Sequence, residues 1–164
     1  MSGIIGGAGS KSGVINDHNY AFNAYLSANQ EVSSASNTKV DFDTVKFGAS
    51  YWSASNQRLD VPKTGNWLIS YNIKTVDSVY WVAYKFKVDG TFIHQGWTMS
   101  AGLNGITCQA NPTNSFSDII KLTAGTYLEL WFHPHQNFTL HNSDSDNTDT
   151  TTAASWISGH YIGI

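Results

Sequence analysis

The chain has 164 residues, of which only 13% are charged, and Glu occurs only at Glu31 and Glu129; so few helix formers exclude a coiled coil or a helical bundle. Six Trp, eight Tyr and eight Phe exclude a disordered chain and point to an all-β domain. A net charge of −3, with nine Lys and Arg spread along the sequence, argues against nucleic acid as a partner, and no apolar run approaches the roughly 18 residues needed for membrane insertion.

Residues 1–19 hold five Gly by position 13 and read as a flexible attachment arm, with Ile4, Ile5, Val14 and Ile15 as its apolar anchors. From residue 20 to 164 the pattern changes to short alternating runs between turn signals, the mark of a sandwich or barrel head. Strands are predicted over 20–26 and 39–47. The run 66–76 alternates most clearly, with Trp67, Ile69, Tyr71 and Ile73 on one face and Leu68, Ser70, Asn72 and Lys74 on the other. In the next run Tyr80, Val82, Tyr84, Phe86 and Val88 share one face, and Val79, Trp81, Ala83, Lys85 and Lys87 the other. Asp89-Gly90 reads as a tight hairpin turn into a strand over 91–99. Further strands are predicted over 116–122, 126–132 and 153–164. The stretch 142–152 is polar and aperiodic, an exposed loop. Eight or more strands at this spacing suggest a jelly roll.

Specific segments carry a family resemblance. Phe22-Asn-Ala-Tyr-Leu-Ser-Ala28 followed by Lys39-Val-Asp-Phe-Asp43 resembles the opening strands of the complement C-one-q globular-head family, which belongs with the tumour necrosis factor-like jelly rolls. Arg58-Leu-Asp-Val-Pro-Lys-Thr-Gly-Asn-Trp-Leu-Ile69 is similar to that family's next segment, with Leu59, Trp67 and Ile69 in its aromatic slots. Ile120-Lys-Leu-Thr-Ala-Gly-Thr-Tyr-Leu-Glu-Leu130 resembles its later strand pair, although Thr126 stands where Asp is usual. Ser155-Trp-Ile-Ser-Gly-His-Tyr-Ile162 resembles the closing strand, with Ile157 and His160 at two Phe positions. The resemblance implies a ten-stranded jelly roll that assembles as a homotrimer. The arm, Gly3-Ile-Ile-Gly-Gly-Ala-Gly-Ser-Lys-Ser-Gly-Val-Ile15, is similar to the opening peptide of many phage virion proteins, which implies attachment to other virion proteins.

Candidate sites follow from residue chemistry. The arm is not a phosphate loop, because Ser10 separates Gly9 from Lys11, and Ser12 stands where a dinucleotide fingerprint needs Gly. His133 and His135, with His141 nearby, form the histidine cluster; the expected reading is a strand end broken by Pro134, with ligand contact as the functional alternative. Asp144, Asp146 and Asp149 could offer oxygen ligands to calcium, though the EF-hand positions for Gly and Glu are Asp149 and Ser155. No cofactor is otherwise implied. Cys108 stands alone, which excludes an intrachain disulfide, and no nucleophile motif is present. Strands that are apolar on both faces need a covering partner, which makes Trp81 and Tyr161 the expected subunit-interface residues. Trp52 and Trp97, in loop or edge positions, are the expected ligand contacts, as in a stacked carbohydrate platform.

The expected function is therefore that of a phage virion structural protein and not an enzyme. It would be a trimeric head on a tail fibre or tail tip that binds a host cell-surface glycan or protein, or a decoration on the capsid exterior. With no secretory signal evident, assembly in the host cytoplasm is expected. A secreted lectin-like domain is the alternative, and a polysaccharide-degrading enzyme a more distant one.

Overall fold

The computed structural model describes residues 20–75, 82–98, 113–142 and 154–164. The arm with Ile4, Ile5, Val14 and Ile15, and likewise Trp81, Cys108, Asp144, Asp146, Asp149 and the side chain of Trp97, lie outside what is described. Among the described residues every regular element is a strand. In chain order these are β1 (Ala21–Tyr25), β2 (Gln30–Val32), β3 (Thr38–Lys39), β4 (Thr44–Phe47) and β5 (Trp52–Ser53). There follow β6 (Arg58–Asp60), β7 (Gly65–Lys74), β8 (Val82–Val88) and β9 (Thr91–Thr98). The last are β10 (Thr113–Leu122), β11 (Tyr127–Pro134), β12 (Phe138–Leu140) and β13 (Trp156–Gly163).

Two antiparallel sheets face each other. One has five strands in the order β10-β7-β13-β1-β4. The other runs β5-β6-β11-β8-β9, with β3 also pairing β11, and β12 pairs with β2 alongside. Consecutive strands change sheet repeatedly, which is the crossing pattern of a jelly roll. The expected alternation of β7 is present: Trp67, Ile69, Tyr71 and Ile73 are buried, while Leu68 is exposed. The hairpin between β8 and β9 also forms as expected, because Asp89 (φ 45°) and Gly90 (φ 82°) both take the left-handed conformation of a primed turn.

The single strand expected over 39–47 is two strands in two different sheets. Lys39 pairs with Trp131 of β11, whereas Val45 and Thr44 pair with Ala24 and Tyr25 of β1. Between them Val40 and Phe42 stay in the core while the chain crosses from one sheet to the other. The alternation is real, but it belongs to the crossing and not to one ladder.

Trp52 corrects the expectation of ligand contact. It is 2% exposed, its ring stacks on Phe22 at 5.0 Å, and its Nε1 donates to the Phe42 carbonyl at 2.9 Å. Tyr161 likewise corrects the expectation of a subunit contact. Along β13, Ile157, Gly159 and Tyr161 point inward, and Tyr161 packs edge-on against Trp67 at 5.6 Å. Gly159 is needed there, since a Cβ would collide with the Phe22 ring and with Ile69. A two-faced apolar strand must choose which face enters the core, and here the face of Tyr161 does so.

Trp52→Ala should lower unfolding free energy by about 3–5 kcal/mol, the cost of emptying a core aromatic site. Urea titration checks this; a loss within about 0.5 kcal/mol would return Trp52 to the surface.

A second prediction concerns Asp43. Partial burial works to raise its pKa, but hydrogen bonds from the Ser27 hydroxyl and amide, its own amide and the Thr44 hydroxyl outweigh that and hold it below its ordinary value. The folded chain thus favours the carboxylate. The resulting stability is present above pH 3.8 and fades as pH falls through the lower folded value. Asp43→Asn should cost about 0.5 kcal/mol at pH 7, the low end for a hydrogen bond because the group is mostly exposed. The difference in urea midpoint should shrink in acid below pH 3.8.

Candidate functional site

The outward faces of the two sheets differ in chemistry. On the five-stranded sheet, pairing registers set out three cross-strand rows. Ile119, Leu68, His160 and Ala21 form the first; Ser117, Ser70, Ser158 and Asn23 the second; Ser115, Asn72, Trp156 and Tyr25 the third. None of these twelve positions is Lys, Arg, Asp or Glu. Ser70 and Ser117 share a hydroxyl hydrogen bond at 2.8 Å, Ser115 donates to Asn72 Oδ1, and Asn72 Nδ2 donates to the Ala154 carbonyl at 2.7 Å. Ile119 is 58% exposed and Leu68 38%, side by side on neighbouring strands. A low-charge face with adjoining exposed aliphatic side chains shares the depletion of charge that marks an interface core, although its four Ser do not fit that composition.

The six-stranded sheet carries charge. Lys85 and Lys87 of β8 stand between Trp131 and Glu129 of β11 on one side and β9 on the other. Trp131 Nε1 donates to Glu129 Oε2 at 2.9 Å, and Lys39 Nζ lies 3.4 Å from Glu129 Oε1. This fixes the indole, and the Lys87 ammonium sits 4.4 Å above its centroid. Phe92 of β9 meets Trp131 edge-on at 6.2 Å, with the Lys85 and Lys87 ammonium groups 5.2 and 5.5 Å from its own centroid. Lys85 also donates to Asn37 Oδ1 at 2.9 Å. Cation–π contacts of this kind hold the long lysine side chains in place.

The expected histidine contacts lie one row away. His133 is half-buried on β11, pairing with Ala83, which in turn pairs with Trp97 on its other side. His135 is exposed just past the strand end, and β11 continues through Pro134, which pairs with Val82. The strand thus ends at Pro134, as expected, although Pro134 itself still pairs within the sheet. Among the described residues no group of three His, Cys, Asp or Glu is placed to hold a metal ion. Sequence reasoning put Lys85 and Lys87 on an outward face but missed Phe92 and Trp131. Their meeting depends on cross-strand register, which a single sequence does not display.

No family model matches the chain, and no curated protein matches it in sequence. Its backbone nevertheless matches the tumour necrosis factor Eiger from S. frugiperda, with a TM-score of 0.64 at 13% identity over 90% of this chain and 94% of that one. The globular domain of the zebrafish complement 1qA protein matches with a TM-score of 0.57 at 9% identity, over 87% and 96% of the two chains. The chain has the tumour necrosis factor and complement C-one-q jelly-roll fold. Within this jelly roll, β7, β10 and β13 supply the low-charge face, with Lys121 one row beyond Ile119, and β8, β9 and β11 supply the cationic one.

Trp131→Phe should remove the indole donor to the buried Glu129 carboxylate. A loss of about 1.5–3 kcal/mol is expected, as for hydrogen bonds to charged groups, measurable by urea denaturation. An unchanged midpoint would show that Lys39 alone satisfies Glu129.

Proposed function

We propose that this protein is a binding head that works as a homotrimer in a phage virion, on a tail fibre or tail tip or on the capsid exterior, and binds rather than transforms its target. The observation that carries the reading is the run of three rows without a charged residue on the five-stranded sheet, where Leu68 and Ile119 adjoin. Covering two neighbouring aliphatic side chains and the Ser and Asn side chains beside them removes apolar area from water, while the exposed Lys121, one row further along β10 and opposite Asn66, lies toward the edge of that patch. The number three comes from the resemblance to complement C-one-q heads. Placement in a virion comes from the similarity of Gly3 to Ile15, within the arm, to phage virion openings, with that arm joining other virion proteins.

Light scattering at low micromolar concentration should give about 54 kDa, three times the chain mass of 18.0 kDa. Ile119→Asp should leave the single chain folded, since surface changes cost little, yet reduce the mass to 18.0 kDa by placing an unpaired charge in a desolvated contact. A wild-type protein that stays at 18.0 kDa would contradict the assembly. Immunolabelling of purified virions should mark tail or capsid, and unlabelled particles would remove the virion reading.

A further inference from the structure

We propose that the cationic sheet binds an acidic sugar, with Phe92 as its stacking surface and Lys85 and Lys87 as its carboxylate clamp. The inference rests on reading the head as a binding module, and it names the ligand class. Phe92 is 41% exposed on β9, an edge strand of its sheet. An exposed phenyl ring gains nothing from water, but this one meets Trp131 with the ring planes at 89° and has two ammonium groups over it, 5.2 and 5.5 Å from its centroid. Lys39, Lys85 and Lys87 share the cluster with one carboxylate, Glu129, so the local charge is positive on a chain whose net charge is −3.

An apolar ring flanked closely by cations matches a ligand that has an apolar face and an anion beside it. A hexuronate has both: its C–H face can stack on the part of Phe92 that the ammonium groups leave open, and its carboxylate sits one bond off the same sugar ring, within reach of those groups. A neutral sugar would stack but leave those cations without a counter-charge. Polyphosphate has the charge without the apolar face. A single-stranded nucleic acid stacks its bases, but its phosphates lie a whole sugar away from them, and its affinity depends on many phosphate contacts along an extended basic groove. Here the ammonium groups crowd one pair of touching rings, Phe92 and Trp131.

Titration calorimetry on the full chain tests this, with oligogalacturonate as probe and maltohexaose, inorganic polyphosphate and oligothymidylate as comparators. Oligogalacturonate should bind at least tenfold more tightly than each comparator. Phe92→Ala and the double variant Lys85→Ala/Lys87→Ala should each weaken it at least tenfold. Phe92→Tyr should retain binding, as should Lys46→Ala on the other sheet. Circular dichroism on each variant confirms folding. The proposal is overturned if oligogalacturonate fails to bind, if any comparator binds as tightly, or if folded Phe92→Ala binds unchanged. Light scattering on the same samples keeps the two readings apart: a 54 kDa assembly, three times 18.0 kDa, that ignores oligogalacturonate sinks only the sugar site.

Discussion

The fold depends on Tyr71 as the ring on which both sheets close. Its centroid lies 5.5 Å from that of Tyr84, 6.4 Å from Phe86 and 6.0 Å from Phe132, all on the facing sheet, and 6.1 Å from Phe116 on its own. Most of these contacts are edge-to-face, the geometry that the ring quadrupole favours. Burial drives the Tyr71 hydroxyl pKa upward, and the negative charge of Tyr84 would add to the shift, so the group stays a neutral phenol across the range in which proteins are stable. With the sheets locked here, β7 and β8 can lie back to back and turn opposite chemistries outward.

That back-to-back arrangement accounts for the two surfaces. On β7 the outward positions are Leu68, Ser70 and Asn72, and on β8 they are Lys85 and Lys87. The same alternation that fills one core therefore yields a face suited to a second copy of the chain and a face suited to an anion. In the proposed assembly the first is covered and the second is presented to the surroundings. Neither face needs a loop to define it, because both are written into the paired strands of the scaffold.

Much of this was legible in the sequence. The alternation of β7 and the left-handed pair Asp89–Gly90 depend only on local chain order, and both formed where expected. The fate of residues on two-faced or irregular segments was not legible. Trp52 looked loop-like because β5 is only two residues long, yet its indole completes the core between Phe22 and Phe42. Tyr161 and Trp156 lie on opposite faces of β13, and the face that turns inward is the one on which Gly159 makes room beside Phe22, a contact that alternation alone does not show. The cluster of Phe92 with Trp131 joins strands that are neighbours only through β8, at a register shifted by the irregularity between Phe86 and Lys87. Periodicity in one strand carries no information about that offset.

The central claim is that the low-charge face around Leu68 and Ile119 is covered in the assembled protein while the cationic sheet stays open. Hydroxyl-radical footprinting of the assembly, read residue by residue by mass spectrometry, tests it most directly. Leu68 and Ile119 should be protected although both are exposed on the single chain, while Phe92, on the other sheet, should be oxidised freely. Oxidation of Ile119 at a rate matching its exposure on the single chain, or protection of Phe92 in its place, would contradict the account.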